Sequence, residues 1–330
     1  MGYSQHKNLP IIQIADIGGV FIVSFLVMMV NFSIYKALKR SFKEIIICSI
    51  IFTMAVIYGS ISIDIYSHKS SQVKLSVVQG NILQEDKWDP FLEMQILNKY
   101  VGMTKKASLD GPDLIIWPET SFPGFLGTDK YMTNIVLNLT KEIKTPLLLG
   151  ANTEDSINYF NSAVLVSGEG HALEKYDKVH LVPLGEYVPF SARFPKLHEL
   201  ILGSFGEFTP GKEFKIFNIE SKKDPALKAS FGVLICFEDI FPEIAKAFKN
   251  KGAKFLVVIT NDAWYGRSPA SYQHAACSVF RAIENRIPVV RCANTGYSCF
   301  IDRSGQVYDF VSEKGKNLFV TGHKTALISF

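Results

Sequence analysis

FGVLICFED, residues 231–239, is an apolar run that stops at a thiol, Cys236, followed by an aromatic residue and two carboxylates. Such a short run reads as a buried strand, and Phe237-Glu238-Asp239 leads on toward a helix. Side chains at the mouth of a buried strand sit on a rigid scaffold with an open tip, so functional groups gather there. Free cysteine is otherwise usually inert core packing, and that reading is applied to Cys48, Cys277, Cys292 and Cys299. Cys236 differs by its place at a strand-to-helix turn beside carboxylates.

Outward from this strand the same grammar repeats. Further short apolar runs at residues 73–78, 114–117, 147–149, 163–166, 255–259 and 288–292 are predicted strands, and 297–301 with 306–310 form a predicted hairpin across Asp302-Arg303-Ser304-Gly305. Helical periodicity falls at 91–107, 131–144, 242–250 and 269–286. Strands alternating with helices predict a layered α/β domain. Residues 184–212 are long, irregular and rich in Phe and Pro, the kind of insertion that usually carries function.

Two more strand ends carry polar groups. In DLIIWPET (113–120) a buried strand meets Pro118 and then Glu119; EKYDKVHLVPLGEYVPF (174–190) holds Lys178 and Glu186. Taken alone, Glu119 reads as a helix cap or surface residue, Lys178 and Glu186 as a solvated charge cluster, and His180 as structural. Together with Cys236 they make chemical sense. A carboxylate can take the proton of a weakly nucleophilic thiol. A nearby ammonium favours the thiolate and stabilises the oxyanion formed on carbonyl attack. Glu, Lys and Cys thus suffice for a thioester mechanism without histidine, metal or cofactor.

The composition directs attention to the N-terminus. Of 330 residues, 48% are hydrophobic, which calls for a membrane segment; the net charge of +4 comes with no basic stripe and argues against nucleic acid. Five cysteines without a C-x-x-C pair argue against a disulfide scaffold, and seven scattered histidines against a metal site. Residues 17–35 and 45–63 contain no charged side chain. At about 1.5 Å per residue each run spans roughly 28 Å, the thickness of a bilayer core, so both are predicted transmembrane helices. The link between them holds Lys36, Lys39, Arg40 and Lys43 against Glu44. Positive charge in a short loop marks the cytoplasmic side, which puts the α/β domain on the opposite face, periplasmic in a bacterial inner membrane.

At these residues the chain resembles the nitrilase (carbon–nitrogen hydrolase) superfamily, and more narrowly its bacterial apolipoprotein N-acyltransferases. The resemblance rests on VVQGNILQEDKWDP (77–90), LIIWPETSFPG (114–124), KYDKVHLVPLGEYVPF (175–190), LICFEDIFPE (234–243), TNDAWYGRSPASYQHAACSVFRAIENRIPVVRCANTG (260–296) and the membrane stretch LPIIQIADIGGVFIVSFLVMMVN (9–31). It implies an αββα sandwich over residues 73–312, preceded by a membrane segment, 1–72, and followed by a tail, 313–330. It implies that Glu119 is the general base, Lys178 the stabiliser of the tetrahedral intermediate and Cys236 the nucleophile, with Glu186, Glu238 and Trp88 in support.

The implied reaction moves an acyl chain from a membrane phospholipid, through a Cys236 thioester, to the α-amino group of the N-terminal diacylglyceryl-cysteine of a lipoprotein. The family often has Tyr after the nucleophile, whereas this chain has Phe237. The chain also resembles a member lacking its first membrane helices and its last one. Three alternatives therefore stand beside the full enzyme: a truncated, inactive remnant, completion by a separate chain carrying the missing helices, and a membrane-tethered amidase. The apolar residues of 184–212 (Phe190, Phe194, Leu197, Leu200, Ile201, Leu202, Phe205, Phe208) read either as packing on the domain or as an interfacial arm that reaches for acyl chains.

Overall fold

The computed structural model describes residues 1–67, 71–189 and 207–330. The proposed arm residues from Phe190 to Phe205 lie outside the described residues; Phe208 lies within them and bridges to Tyr159.

The two apolar runs are helices. The first, α1 (Ala15–Leu38), is interrupted at Gly18 and Gly19. Gly19 has φ +65°, which only a residue without Cβ adopts freely, so the continuous span starts at Val20. The Val20 N–H freed by this break donates to Glu284 Oε1 at 3.1 Å. The second, α2 (Lys43–Ser67), packs on the helical turn Leu9–Ile12 through Gly59, where a Cβ would lie 1.7 Å from the Pro10 carbonyl oxygen. Phe21, Phe25, Met28 and Phe32 on α1, and Ile46, Ile50, Met54, Ile57 and Ile61 on α2, are exposed. A bilayer covers such surface; water would not tolerate it. These two helices are the ones, among the described residues, long and apolar enough to span a membrane.

The remainder forms β1 (Gln72–Gln79), α3 (Glu93–Ser108), β2 (Leu114–Ile116), α4 (Lys130–Ile143), β3 (Leu147–Glu154), β4 (Tyr159–Val166), β5 (Ala172–Asp177), β6 (Phe217–Glu220), β7 (Lys228–Ile235), α5 (Pro242–Asn250), β8 (Phe255–Thr260), α6 (Ala270–Asn285), β9 (Val289–Ala293), β10 (Cys299–Ile301), β11 (Val307–Phe310) and β12 (Gly322–Ser329). They make two six-stranded sheets, ordered β12-β1-β2-β3-β4-β5 and β11-β10-β9-β8-β7-β6. In each sheet three parallel strands, β1-β2-β3 and β7-β8-β9, lie at the centre with antiparallel neighbours outside.

Period-two alternation assigns the layers. Val73, Leu75, Val77, Leu114, Ile116, Leu148, Ala163 and Leu165 enter the core cluster shared with the second sheet. Their neighbours Val78, Ile115, Trp117, Leu147, Leu149, Val164 and Val166 join a separate cluster with α3 and α4. Helices α5 and α6 cover the second sheet with Ile244, Phe248, Phe280 and Ile283. The predicted αββα sandwich is the observed one.

One boundary is corrected. Residues 313–330 are not a tail: β12 pairs with the whole of β1, from Gln72↔Ser329 to Gln79↔Gly322. Its alternation is weak, because it is an edge strand with several half-exposed residues. The membrane segment is likewise not a bare tether. Arg286 pairs with Asp16 and donates from Nη1 to Gln13 Oε1 at 2.6 Å, and Gln13 Nε2 donates to Ser304 O at 2.8 Å. Tyr58 of α2 donates to the same Asp16 at 2.7 Å, and Tyr3 packs edge-on against Phe280 at 5.0 Å.

Candidate active site

Parallel strands of one direction end at one side, and the two sheets bring the ends of β2, β5, β7 and β8 to a common mouth. Glu119 follows β2 and is 6% exposed. Its backbone crosses Gly150 of β3 so closely that a Cβ there would lie 2.5 Å from the Pro118 oxygen and 2.6 Å from the Glu119 Cα. The Gly150 carbonyl accepts from Ser121 N at 2.8 Å, and Thr120 between them is held at φ +44°. Glu119 Oε2 accepts from the Asn261 backbone N–H just beyond β8 at 2.9 Å; Oε1 accepts from Asn161 Nδ2 at 2.8 Å and lies 3.7 Å from Lys178 Nζ.

Lys178 follows β5 and is 1% exposed. Its ammonium sits 2.9 Å from Glu186 Oε2 and donates to Glu186 Oε1 at 3.0 Å. Asn161 Nδ2 also donates to Glu186 at 2.8 Å, so one amide and one ammonium bridge two carboxylates. Glu186 Oε2 accepts from Val182 N at 2.7 Å, fixing the loop that carries it. Burial alone would lower the Lys178 pKa, but Glu119 and Glu186 outweigh it and hold the group well above the ordinary lysine value. Lys178 is therefore a permanent cation.

Cys236 is half-buried and opens the 3₁₀ turn Cys236–Ile240 with φ +51°. A non-glycine residue in the left-handed region stores roughly 1–2 kcal/mol of strain, tolerated where surrounding structure overdetermines it. That structure is visible. His274 Nε2 lies 3.3 Å from the Cys236 carbonyl oxygen, and its Nδ1 is 2.9 Å from both Asp262 Oδ1 and Arg291 Nη2. Arg291 also donates to Asp239 Oδ2 at 2.9 Å. Burial and the Glu119 charge push the Cys236 thiol up to about 12, against the pull of Lys178 and a hydrogen bond with the Thr260 hydroxyl. The resting group is a thiol, and its proton needs a base.

Glu238 is fully buried and does not face the mouth. Its Oε1 accepts from Tyr176 OH at 2.8 Å, Val179 N at 2.8 Å and His180 N at 3.1 Å, and Oε2 accepts from Ile235 N at 2.8 Å. It rivets the loop after Lys178 to the strand before Cys236. Burial raises its pKa above the ordinary carboxyl value. His180 packs against Phe241, with ring centroids 3.9 Å apart and the planes tilted by 39°.

Of the sequence-derived residues, Glu119, Lys178 and Glu186 are in direct contact, Cys236 feels the charges of the first two, and Glu238 lies behind them. Trp88 is 45% exposed. Sequence reasoning missed Lys87, Asn161, Asn261 and the His274–Asp262–Arg291 group. Asn161 was detectable in principle, as a polar residue inside the apolar strand β4; the others become visible only when distant segments meet.

A four-layer sandwich with a thiol on a left-handed turn, beside a carboxylate–ammonium pair from the ends of β2 and β5, defines the nitrilase-like class of α/β proteins. A carbon-nitrogen hydrolase from Helicobacter pylori G27 shares the fold, with a TM-score of 0.58, 15% identity, and 79% of this chain matched to 90% of that one. The family model for carbon-nitrogen hydrolases matches residues 74–325, and that for the apolipoprotein N-acyltransferase N-terminal domain matches residues 1–33. An apolipoprotein N-acyltransferase of Geobacter metallireducens is 36% identical over 93% of this chain and 60% of its own length. Apolipoprotein N-acyltransferase 1 of Treponema denticola is 31% identical over 98% of this chain and 68% of its own. The chain belongs to the carbon-nitrogen hydrolase family, among the apolipoprotein N-acyltransferases. It spans 60–63% of the length of several of these relatives.

Proposed function

We propose that the protein is an N-acyltransferase that takes an acyl chain from a membrane phospholipid and gives it to the α-amino group of a diacylglyceryl-cysteine at the N-terminus of a lipoprotein. In this reading Glu119 accepts the Cys236 proton as sulfur attacks the ester carbonyl carbon. Lys178 stabilises the oxyanion of the tetrahedral intermediate. Collapse breaks the ester C–O bond, and Glu119 returns its proton to the departing lysophospholipid alcohol, leaving a thioester on Cys236. The acceptor amine then attacks the thioester carbon and yields a proton to Glu119. Cys236 leaves as thiolate and recovers that proton, so the cycle closes without water as reactant. Glu186 and Glu238 hold Lys178 and the nucleophile turn, and Trp88 is kept in this reading as a supporting residue.

The carrying observation is the contact of Glu119 with Lys178 beside the left-handed turn that carries Cys236, on a domain clamped to a membrane hairpin. The basic link, Lys36 to Lys43, supports a cytoplasmic turn, and hence an inner-membrane protein whose catalytic domain faces the periplasm. The test is incubation of the purified chain in mixed micelles with acyl-labelled phospholipid. A hydroxylamine-labile label on Cys236, discharged by a diacylglyceryl-cysteine peptide, is expected. Amide hydrolysis without label transfer would make the protein a tethered amidase, and a labelled chain that cannot discharge would refute the acceptor. No label and no amide turnover from a folded chain would make it a remnant.

A further inference from the structure

Lys87 is a buried lysine to which the sequence reading gave no role. It lies on the single turn Asp86–Trp88 and is 7% exposed. Its ammonium donates to the Glu119 carbonyl oxygen at 3.0 Å and to Thr120 Oγ1 at 2.7 Å. Those two residues form the bend at which the candidate base leaves β2, and Thr120 is a β-branched residue at φ +44°. A β-branched residue in that region is a genuine conformational outlier and needs external support.

We propose that Lys87 is a positioning residue for the Glu119 base: it clamps the Glu119–Thr120 peptide in its left-handed bend and adds positive charge to the site. The proposal rests on the reading of Glu119 as the base of Cys236. Lys87 adds a second buried ammonium to Lys178, close enough to feel the Glu119 charge, while Asp262, Asp239 and Arg291 sit on the far side of the nucleophile turn. Removing it withdraws positive charge from the side of the site where sulfur must become anionic. A buried ammonium is costly to keep, and a methionine would fill similar volume without that cost. Burial lowers the Lys87 pKa to about 8, with the charge of Glu119 opposing that fall. The cation predominates at neutral pH and is lost progressively as pH rises through about 8.

The experiment uses the full chain in detergent micelles, comparing wild type with Lys87→Met and Lys87→Arg. Three quantities are read: the alkylation rate of Cys236 by iodoacetamide from pH 6.5 to 9.5, the Tm, and the rate of acyl-enzyme formation from labelled phospholipid. Lys87→Met is expected to slow alkylation about tenfold at pH 7, which corresponds to one pH unit on the thiol. The deficit should shrink as pH rises through about 8, where the wild-type lysine itself loses its charge. Acyl-enzyme formation should fall roughly 100-fold, as expected for a misplaced base, while the Tm does not fall and Lys87→Arg recovers most of both rates. A pH-independent ratio, a lowered Tm with equal damage in both variants, or unchanged rates would overturn the proposal. If even wild type forms no acyl-enzyme, the functional reading fails, yet the alkylation profile still decides the role of Lys87.

Discussion

Replacing Glu238 separates a positioning carboxylate from a reacting one. Four donors end on it: Tyr176 OH, Val179 N and His180 N on Oε1, and Ile235 N on Oε2. In Glu238→Gln the amide oxygen can keep the first three, while the NH₂ group faces the Ile235 N–H. One hydrogen bond to a charged acceptor is lost, at about 1.5–3 kcal/mol. For a domain of this size, at about 2–4 °C per kcal/mol, Tm should fall by roughly 3–12 °C. Glu238→Ala orphans all four donors at about 1–3 kcal/mol each and is expected to lose the fold.

The pH dependence has a definite sign. Because burial raises the folded-state pKa of Glu238 above the unfolded one, the native protein holds the proton longer. Stability from this group is full at acid pH and lost as pH rises through the folded value. Glutamine does not titrate, so the deficit of Glu238→Gln should be largest at acid pH and shrink toward neutrality. Thermal melts of both proteins in micelles between pH 4 and 8 measure this. Acyl-enzyme formation should survive at reduced rate, because Glu238 touches no reacting atom, whereas Lys178→Met should abolish it. A deficit that grows with pH, or a normal Tm with complete loss of acylation, would refute the positioning role.

Two other perturbations probe the scaffold. Gly150→Ala inserts a methyl 2.5 Å from the Pro118 oxygen; overpacking of this kind costs about 1–3 kcal/mol, and displacement of Glu119 should depress acyl-enzyme formation more than Cys236 alkylation, measured side by side. Arg286→Ala breaks the Asp16–Gln13–Arg286 clamp between hairpin and domain. Limited proteolysis should then cut between residues 13 and 20, and the combined exchange Asp16→Arg with Arg286→Asp should restore protection in part.

The layered α/β fold was legible because each central strand is a short apolar run, and the membrane helices because their apolar stretches lack charge. Strands β5, β6 and β12 were not marked: ALEKYD, FNIE and GHKTALIS carry polar or charged residues at an edge, where one face meets solvent. In the site, Glu119 and Cys236 stood at the ends of strands that a linear reading can find, whereas Lys178 follows β5, which it did not mark; the selection of all three among other charged and thiol residues needed the ordered motifs around them. Lys87, Asn161 and the His274 group could not be read that way. Lys87 reaches 32 residues along the chain to Glu119, and His274 reaches 38 back to Cys236; such partnerships exist only after folding. Glu238 was legible as a residue but not in role, since its neighbours Asp239 and Phe237 give no hint that it points away from the mouth.

The pairing of β1 with β12 also sets a timetable. Gln72 meets Ser329 across 257 residues, and β1 is among the first parts of the domain made. At roughly 5–20 residues per second, its outer edge stays unpaired for on the order of ten seconds or more after it leaves the ribosome. An open strand edge of that kind invites pairing with other chains. Closure of the first sheet is therefore a late event in biogenesis, and during that interval β1, emerging directly behind a membrane helix, depends on shielding by something other than its own partner.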